Sequence, residues 1–286
     1  LPCLPEEDDE NFVQFLGVTT AINFCFWDPW TKERYRFVDK TGKEWQGAMA
    51  MSMAMKEAWE EDPSLFSQEG LARLSEKRLR MILEHTSPIP LLKERLGILR
   101  YLGSESLHRH LQGSFWNLFI RYDFRAFTSG ERVGVVNMLD RSGLFRDVSF
   151  HEPSWTYLPF HKKAQLFVMV YHGRALDSKG RLPLIKDIDD IGVAADYVLP
   201  KILRYFGVLV YASVLAQRVD NWKIVEKDSL EEQEIRAQTW QAMILLRDRL
   251  SELRGENVSM LALDNLLWRR GRELNSPHHL TPTTNY

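Results

Sequence analysis

Asp196 is where chemistry can start in this sequence. It lies in Val193-Ala194-Ala195-Asp196-Tyr197-Val198-Leu199-Pro200, an acid alone in an apolar segment. Taking a carboxylate out of water is costly, so such a group needs a partner or a function. It also precedes a helical run, which an aspartate caps well; the two roles are compatible. Asp264, between Leu263 and Leu266, is a second acid on an apolar face. A structural hydrogen bond to a neighbouring turn accounts for it equally. Lys162, Lys163 and Gln165 open a helical stretch. Lysines there oppose the helix dipole, whereas a helix N-terminus carrying lysine suits a phosphate; two solvated lysines are the alternative. Glu234 and Arg236 read either as ligand contacts or as an ion-pair element.

Other chemistries lack their motifs. The chain has no phosphate-binding P-loop, no GxGxxG, no HExxH and no GxSxG. His108 and His110 are two apart on a helix and point away from each other. The His278-His279 pair is equally weak as a metal site. The two cysteines, Cys3 and Cys25, match no zinc spacing and no disulfide framework. Cys25, inside Phe24-Cys25-Phe26-Trp27, reads as a buried thiol. The expectation is carboxylate chemistry with no metal and no cofactor.

The elements that must hold these residues are mainly helical. The chain has 286 residues, 44% hydrophobic and 27% charged, enough for a large core. Its net charge of −2 argues against a stable nucleic-acid partner, while leaving room for a small anion held by local cations. No apolar run is long enough to span a bilayer, and the start of the chain is acidic rather than signal-like, so a cytoplasmic monomer with no membrane contact is expected. The first 20 residues include a short helix at Phe12, Val13, Phe15 and Leu16. Ile22–Trp27 and Tyr35–Val38 favour strand, and with the Lys40-Thr41-Gly42-Lys43 turn they predict a small ribbon over about 22–46. It is the one convincing β signal.

The rest reads as helix. Met49, Met51, Met53 and Met55 alternate, yet the Ala-rich context to Trp59 favours helix. Ser67 and Ser75 look like helix starts. Pro90 stands near the first turn of a helix with Leu91, Leu92, Leu96, Leu99 and Leu102 on one face. Thr128-Ser129-Gly130-Glu131 and Ser229-Leu230-Glu231-Glu232 look like capping boxes. The second opens a long helix with Ile235, Trp240, Met243, Leu246, Leu250 and Leu253 inward. Helices are also expected over His161–Arg174, Val198–Phe206, 209–217 and 257–272. No repeat or long linker appears, so residues 1–286 are expected to form a single domain.

Ordered blocks along nearly the whole chain carry a resemblance. They are Ile22-Asn23-Phe24-Cys25-Phe26-Trp27, Ile89-Pro90-Leu91-Leu92-Lys93-Glu94-Arg95, Gly113-Ser114-Phe115-Trp116-Asn117 and Phe145-Arg146-Asp147. They continue with Lys162-Lys163-Ala164-Gln165-Leu166, Ala195-Asp196-Tyr197-Val198-Leu199-Pro200, Glu234-Ile235-Arg236-Ala237, Asp264-Asn265-Leu266-Leu267-Trp268 and Pro277-His278-His279. In these the chain resembles the queuosine salvage proteins, a family of queuosine 5′-phosphate N-glycosidases. It departs from the family at Val198 and Lys163, where arginine is usual, and in its last eight residues.

The resemblance implies a mainly α fold with some likeness to helical DNA glycosylases. It implies hydrolysis of queuosine 5′-monophosphate, a small-molecule substrate, to queuine and ribose 5-phosphate, and it places the catalytic carboxylate at Asp196. N-glycoside cleavage passes through an oxocarbenium-like sugar; a carboxylate beside C1′ can stabilise that cation, attack it, or deprotonate a water. Queuine is a 7-deazapurine without an N7 to protonate, so donors to O6 or N3 are needed; Lys163 and Gln165 are candidates. Phe24, Phe26, Trp27 and Tyr197 could stack on the base. Asp264 or Glu234 could read its guanine-like edge, and Asn23 or Asp264 its amine-bearing ring. The phosphate is expected among His161, Lys162, Lys163 and Arg236, while Trp268 reads as core. Three rival readings are a non-catalytic queuine or nucleotide binder, a base-flipping nucleic-acid glycosylase and a purely structural interaction protein.

Overall fold

Serine side chains set the starts of six helices. Ser67, Ser75, Ser104, Ser114, Ser229 and Ser259 each accept a backbone N–H from the first turn that follows, satisfying a donor the helix itself cannot pair. The computed structural model describes residues 9–131 and 133–286. In chain order the elements are α1 (Asp9–Ala21), β1 (Arg36–Val38), β2 (Glu44–Gln46), α2 (Ala48–Glu61), α3 (Gln68–Ala72), α4 (Glu76–Leu83), α5 (Leu92–Leu102), α6 (Glu105–His110), α7 (Phe115–Arg121) and α8 (Val135–Arg141). They continue as β3 (Val148–His151), β4 (Thr156–Pro159), α9 (Lys162–Asp177), α10 (Val198–Tyr205), α11 (Ser213–Asp220), α12 (Leu230–Arg254) and α13 (Met260–Glu273). The fold is mainly α, as expected.

The β structure differs from expectation in two ways. β1 and β2 form the expected hairpin, pairing Arg36 with Gln46, Phe37 with Trp45 and Val38 with Glu44. Residues 22–27, however, form no strand beyond an isolated bridge from Trp27 to Arg34. Their polar backbone is used differently. The Arg95 guanidinium donates to the carbonyls of Phe24 and Cys25, and Cys25 N–H donates to Tyr286 O at 2.8 Å. A second antiparallel hairpin, β3 with β4, was not expected.

Three helix expectations also shift. The Thr128–Glu131 capping box starts no helix: α8 begins later, behind Gly134, without a side-chain cap. Thr128 N–H instead donates to Asn137 Oδ1 at 2.7 Å. α11 starts at Ser213 rather than 209. On α12, Leu253 points to solvent, 67% exposed, while Ile235 and Met243 are buried.

Two apolar clusters organise the interior. The larger gathers α1, with Phe12, Val13, Phe15 and Val18 fully buried, against α2, α5, α7 and α9. The smaller joins α10, α12 and α13 through Leu199, Ile202, Leu203, Met243, Leu263 and Leu267. The segment from Ile191 to Tyr197 runs along the seam. Ala194 packs into the larger cluster, Val193 and Ala195 into the smaller. Gly192 lets this segment lie against Trp240, because a Cβ there would stand 2.0 Å from the indole.

Candidate active site

A cavity of about 380 Å³ opens at that seam, within the range of small-molecule sites. α1, α2, α9, α13 and the 194–198 segment wall it. Of the residues picked from sequence, Asn23, Phe26, Asp196, Tyr197 and Asp264 line it.

Asp196 is 6% exposed and its two oxygens have separate jobs. Oδ1 accepts the backbone N–H groups of Val198 and Leu199 at 2.7 and 3.2 Å, which ties the carboxylate to the start of α10. Oδ2 accepts the Trp268 indole N–H at 2.9 Å. The helix-cap reading and the cavity-facing reading of Asp196 therefore hold together. Trp268, read as core from sequence, lines the cavity.

Asp264 stands on the same wall, its Oδ2 accepting Ala194 N–H at 2.9 Å. Burial pushes its carboxyl up to about 7; the Ala194 N–H and Lys162 oppose the rise and the neighbouring Asp196 charge adds to it. Near neutrality Asp264 therefore keeps its proton in a sizeable share of molecules and can donate it toward the cavity.

Lys162 also reaches the cavity, with Nζ 3.3 Å from both Asn23 O and Asn23 Oδ1. Burial lowers its pKa, against the attraction of Asp196 and Asp147.

The other sequence candidates do not line the cavity. Lys163 Nζ donates to the carbonyls of Ala21 and Leu144 at 3.1 and 2.9 Å, and Phe24 packs beneath it and the Arg95 guanidinium. Burial, followed by repulsion from Lys162, brings Lys163 down to about 7. Trp27 stacks on Trp222. His161 Nδ1 lies 3.1 Å from Asp140 Oδ1. Glu234 faces solvent. Gln165 braces the seam segment: its Oε1 accepts Gly192 N–H at 2.6 Å and its Nε2 donates to Phe160 O at 2.9 Å.

Arg236 is fully buried and clamps Asp147 with both terminal nitrogens, at 2.8 and 2.6 Å. Its Nε donates to Ala195 O at 3.2 Å, one residue before Asp196. Asp147 Oδ2 also accepts Lys162 N–H at 3.0 Å. Burial alone would raise the Asp147 carboxyl, but Arg236 holds it below the usual range. The pair joins α12, the start of α9 and the seam segment without reaching the cavity. Its sequence cue, Glu234-Ile235-Arg236, pointed to an ion pair with the wrong acid.

Sequence reasoning missed Arg34, Trp268, Arg272 and Tyr286 as cavity residues. A cue existed on α13. Asp264, Trp268 and Arg272 are spaced four apart and so share one face. Nothing local marks Arg34.

Among the described residues no group of three His, Cys, Asp or Glu side chains could hold a metal, and no helix is long and apolar enough to cross a membrane.

The family model described as "Queuosine salvage protein" matches residues 3–286. A Sphaerobacter thermophilus protein named queuosine 5′-phosphate N-glycosylase/hydrolase is 31% identical, over 97% of this chain and 82% of the relative. A Bos taurus protein of the same name is 29% identical over 94% of this chain and 78% of its own length. One from Dictyostelium discoideum is 25% identical over 97% and 79%.

Proposed function

The chain belongs to the queuosine salvage protein family, and from that premise we propose that it hydrolyses the N-glycosidic bond of queuosine 5′-monophosphate and frees queuine. The observation that carries this reading is the carboxylate of Asp196, buried at the cavity wall and held by two backbone N–H groups and an indole N–H. Those donors fix its position before substrate arrives. A preorganised negative charge beside the anomeric carbon stabilises the positive charge that grows there as the base departs.

The bond that breaks joins C1′ to the base, and its electron pair leaves with the base. Water supplies the hydroxyl that ends on C1′ and the proton that ends on the base. Queuine has no N7, so its edge must be met by donors at O6 or N3. Asp264, still holding a proton near pH 7 because it is buried, is such a donor. Phe26, Tyr197 and Trp268 offer aromatic faces to the flat base. Lys162 and Asn23 complete the polar side of the wall.

The test mixes purified protein with queuosine 5′-monophosphate and follows free queuine by chromatography. Asp196→Asn and Asp196→Ala are expected to bind substrate while turnover drops by on the order of 10²–10³ or more. Full activity in both variants removes Asp196 from the chemistry. Binding of queuine by the unaltered protein without any release from the nucleotide favours the non-catalytic reading.

A further inference from the structure

The far end of α10, away from the cavity, carries an apolar surface. After Arg204 the chain runs from Tyr205 to Gln217 without a single Asp, Glu, Lys, Arg or His. Much of this stretch faces solvent. Tyr205, Phe206, Val208, Val210 and Val214 are 64%, 60%, 46%, 85% and 75% exposed. Apolar side chains scattered singly on a surface need no account, but five within residues 205–214 form a patch.

The patch is held in place from within. Gly207, at φ +71°, closes α10, its N–H donating to Arg204 O at 3.0 Å and Val208 N–H to Leu203 O at 2.9 Å. Leu209 turns inward, and Tyr211 packs on the smaller apolar cluster with the Arg204 guanidinium 4.9 Å from its ring. Val208 and Val210 therefore point outward, the alternation of an extended chain. The N–H groups of Val210, Tyr211 and Ala212 make no backbone hydrogen bond among the described residues, so this short stretch also offers an unpaired edge.

Area and charge decide what fits there. At these exposures the five residues present roughly 600 Å², and the exposed Gly207, Ala212, Ser213 and Gln217 bring the surface near the roughly 800 Å² that each partner gives to a standard interface. The rim neutralises itself. Arg204 meets Asp220 with both terminal nitrogens, at 2.7 and 2.9 Å, and Arg218 lies 3.2 Å from Glu231. Such a rim offers little to an anionic lipid surface. A charge-free surface suits a copy of itself, because no like charges meet when it is turned about a two-fold axis. Two antiparallel copies of one segment are related by that same axis. Homodimer contacts are also more apolar than other interfaces.

We propose that residues 205–214 form the contact surface of a two-fold symmetric homodimer, with the 208–212 segments of the two copies side by side. This departs from the monomer expected from the sequence, and it does not depend on the hydrolase reading.

Sedimentation equilibrium tests it. The mass of the unaltered protein is expected to climb from 33.5 kDa towards twice that value as concentration rises over about 1–100 μM. In a two-fold contact every substitution acts twice. Val210→Asp, and equally Val210→Lys, is expected to raise the dissociation constant about a hundredfold or more. An equimolar mixture of the two variants is expected to recover association, because opposite charges then face each other. Val214→Asp is a second disruptor, placed in the first turn of α11 where an acid suits the helix. Both positions are exposed, so each variant is expected to keep the cooperative melt of the unaltered protein. A monomer at every concentration overturns the proposal, as does a dimer that survives both acidic substitutions. Flotation of a monomeric protein with phosphatidylcholine vesicles, abolished by Val210→Asp, gives the surface to a membrane and overturns it too.

Discussion

Replacing Asp264 by asparagine should make the protein more stable, by an amount that grows with pH. In the folded chain the Asp264 carboxyl is pushed from 3.8 up to about 7, chiefly by burial. Below pH 3.8 the group is protonated whether the chain is folded or not, and it has no pH-linked effect. Between 3.8 and about 7 the unfolded chain releases the proton and the folded chain keeps it, so stability falls as pH rises. Above about 7 both forms are ionised and the full cost applies.

At about 1.4 kcal/mol for each pH unit, that interval amounts to about 4 kcal/mol. Asparagine carries no charge and keeps an oxygen for Ala194 N–H, so it escapes the cost. The assay is urea denaturation of both proteins at pH 5, 6, 7 and 8. The stability difference between Asp264→Asn and the unaltered protein is expected to widen by about 2–3 kcal/mol from pH 5 to pH 8. Turnover is linked to the same proton. If protonated Asp264 donates to the departing base, kcat/KM falls as pH rises through about 7, and the asparagine variant loses that limb. A stability difference that stays constant across the range would refute the claim that Asp264 is buried with its proton.

Two further perturbations probe the supports of the site. Arg236→Met leaves Asp147 buried and unpaired, so unfolding free energy should drop by about 3–5 kcal/mol. The double variant Arg236→Met with Asp147→Leu should lose clearly less than the two single changes together, measured by denaturant titration. A simple additive loss means the pair is not coupled. Trp268→Phe keeps a ring beneath Arg272, now 4.9 Å away, but removes the N–H that holds Asp196. Steady-state kinetics should show kcat down about tenfold to a hundredfold, since hydrogen bonds to charged groups contribute about 1.5–3 kcal/mol, and unchanged kcat would detach Trp268 from the reaction.

What could be read from the sequence is what local physics controls. Ser67, Ser75 and Ser229 cap helices because the donors they satisfy lie within three residues of them. The helical face carrying Leu92, Leu96, Leu99 and Leu102 follows from a period of 3.6. Asp196 and Asp264 could be picked out because an acid among apolar neighbours is conspicuous in one dimension. Local reading failed where a distant group took over the backbone. Residues 22–27 have a strand-like composition, yet Arg95 and Tyr286 take their polar atoms. Thr128 looks like a cap but donates to Asn137 instead.

The identity of the cavity wall was decided only by the tertiary structure. Trp268 meets Asp196 across 72 positions, Arg236 meets Asp147 across 89, and Arg272 meets Gln46 across 226. Lys162 and Lys163 are adjacent in sequence and equal in charge, yet the turn of α9 sends one into the cavity and the other into the core beside Phe24. Neighbours on a helix diverge by about 100°, so which lysine faces the cavity depends on how α9 packs against α1 and α8. Charge and polarity are properties of a residue and can be read from its letter, whereas exposure to a shared cavity is a property of the packed chain.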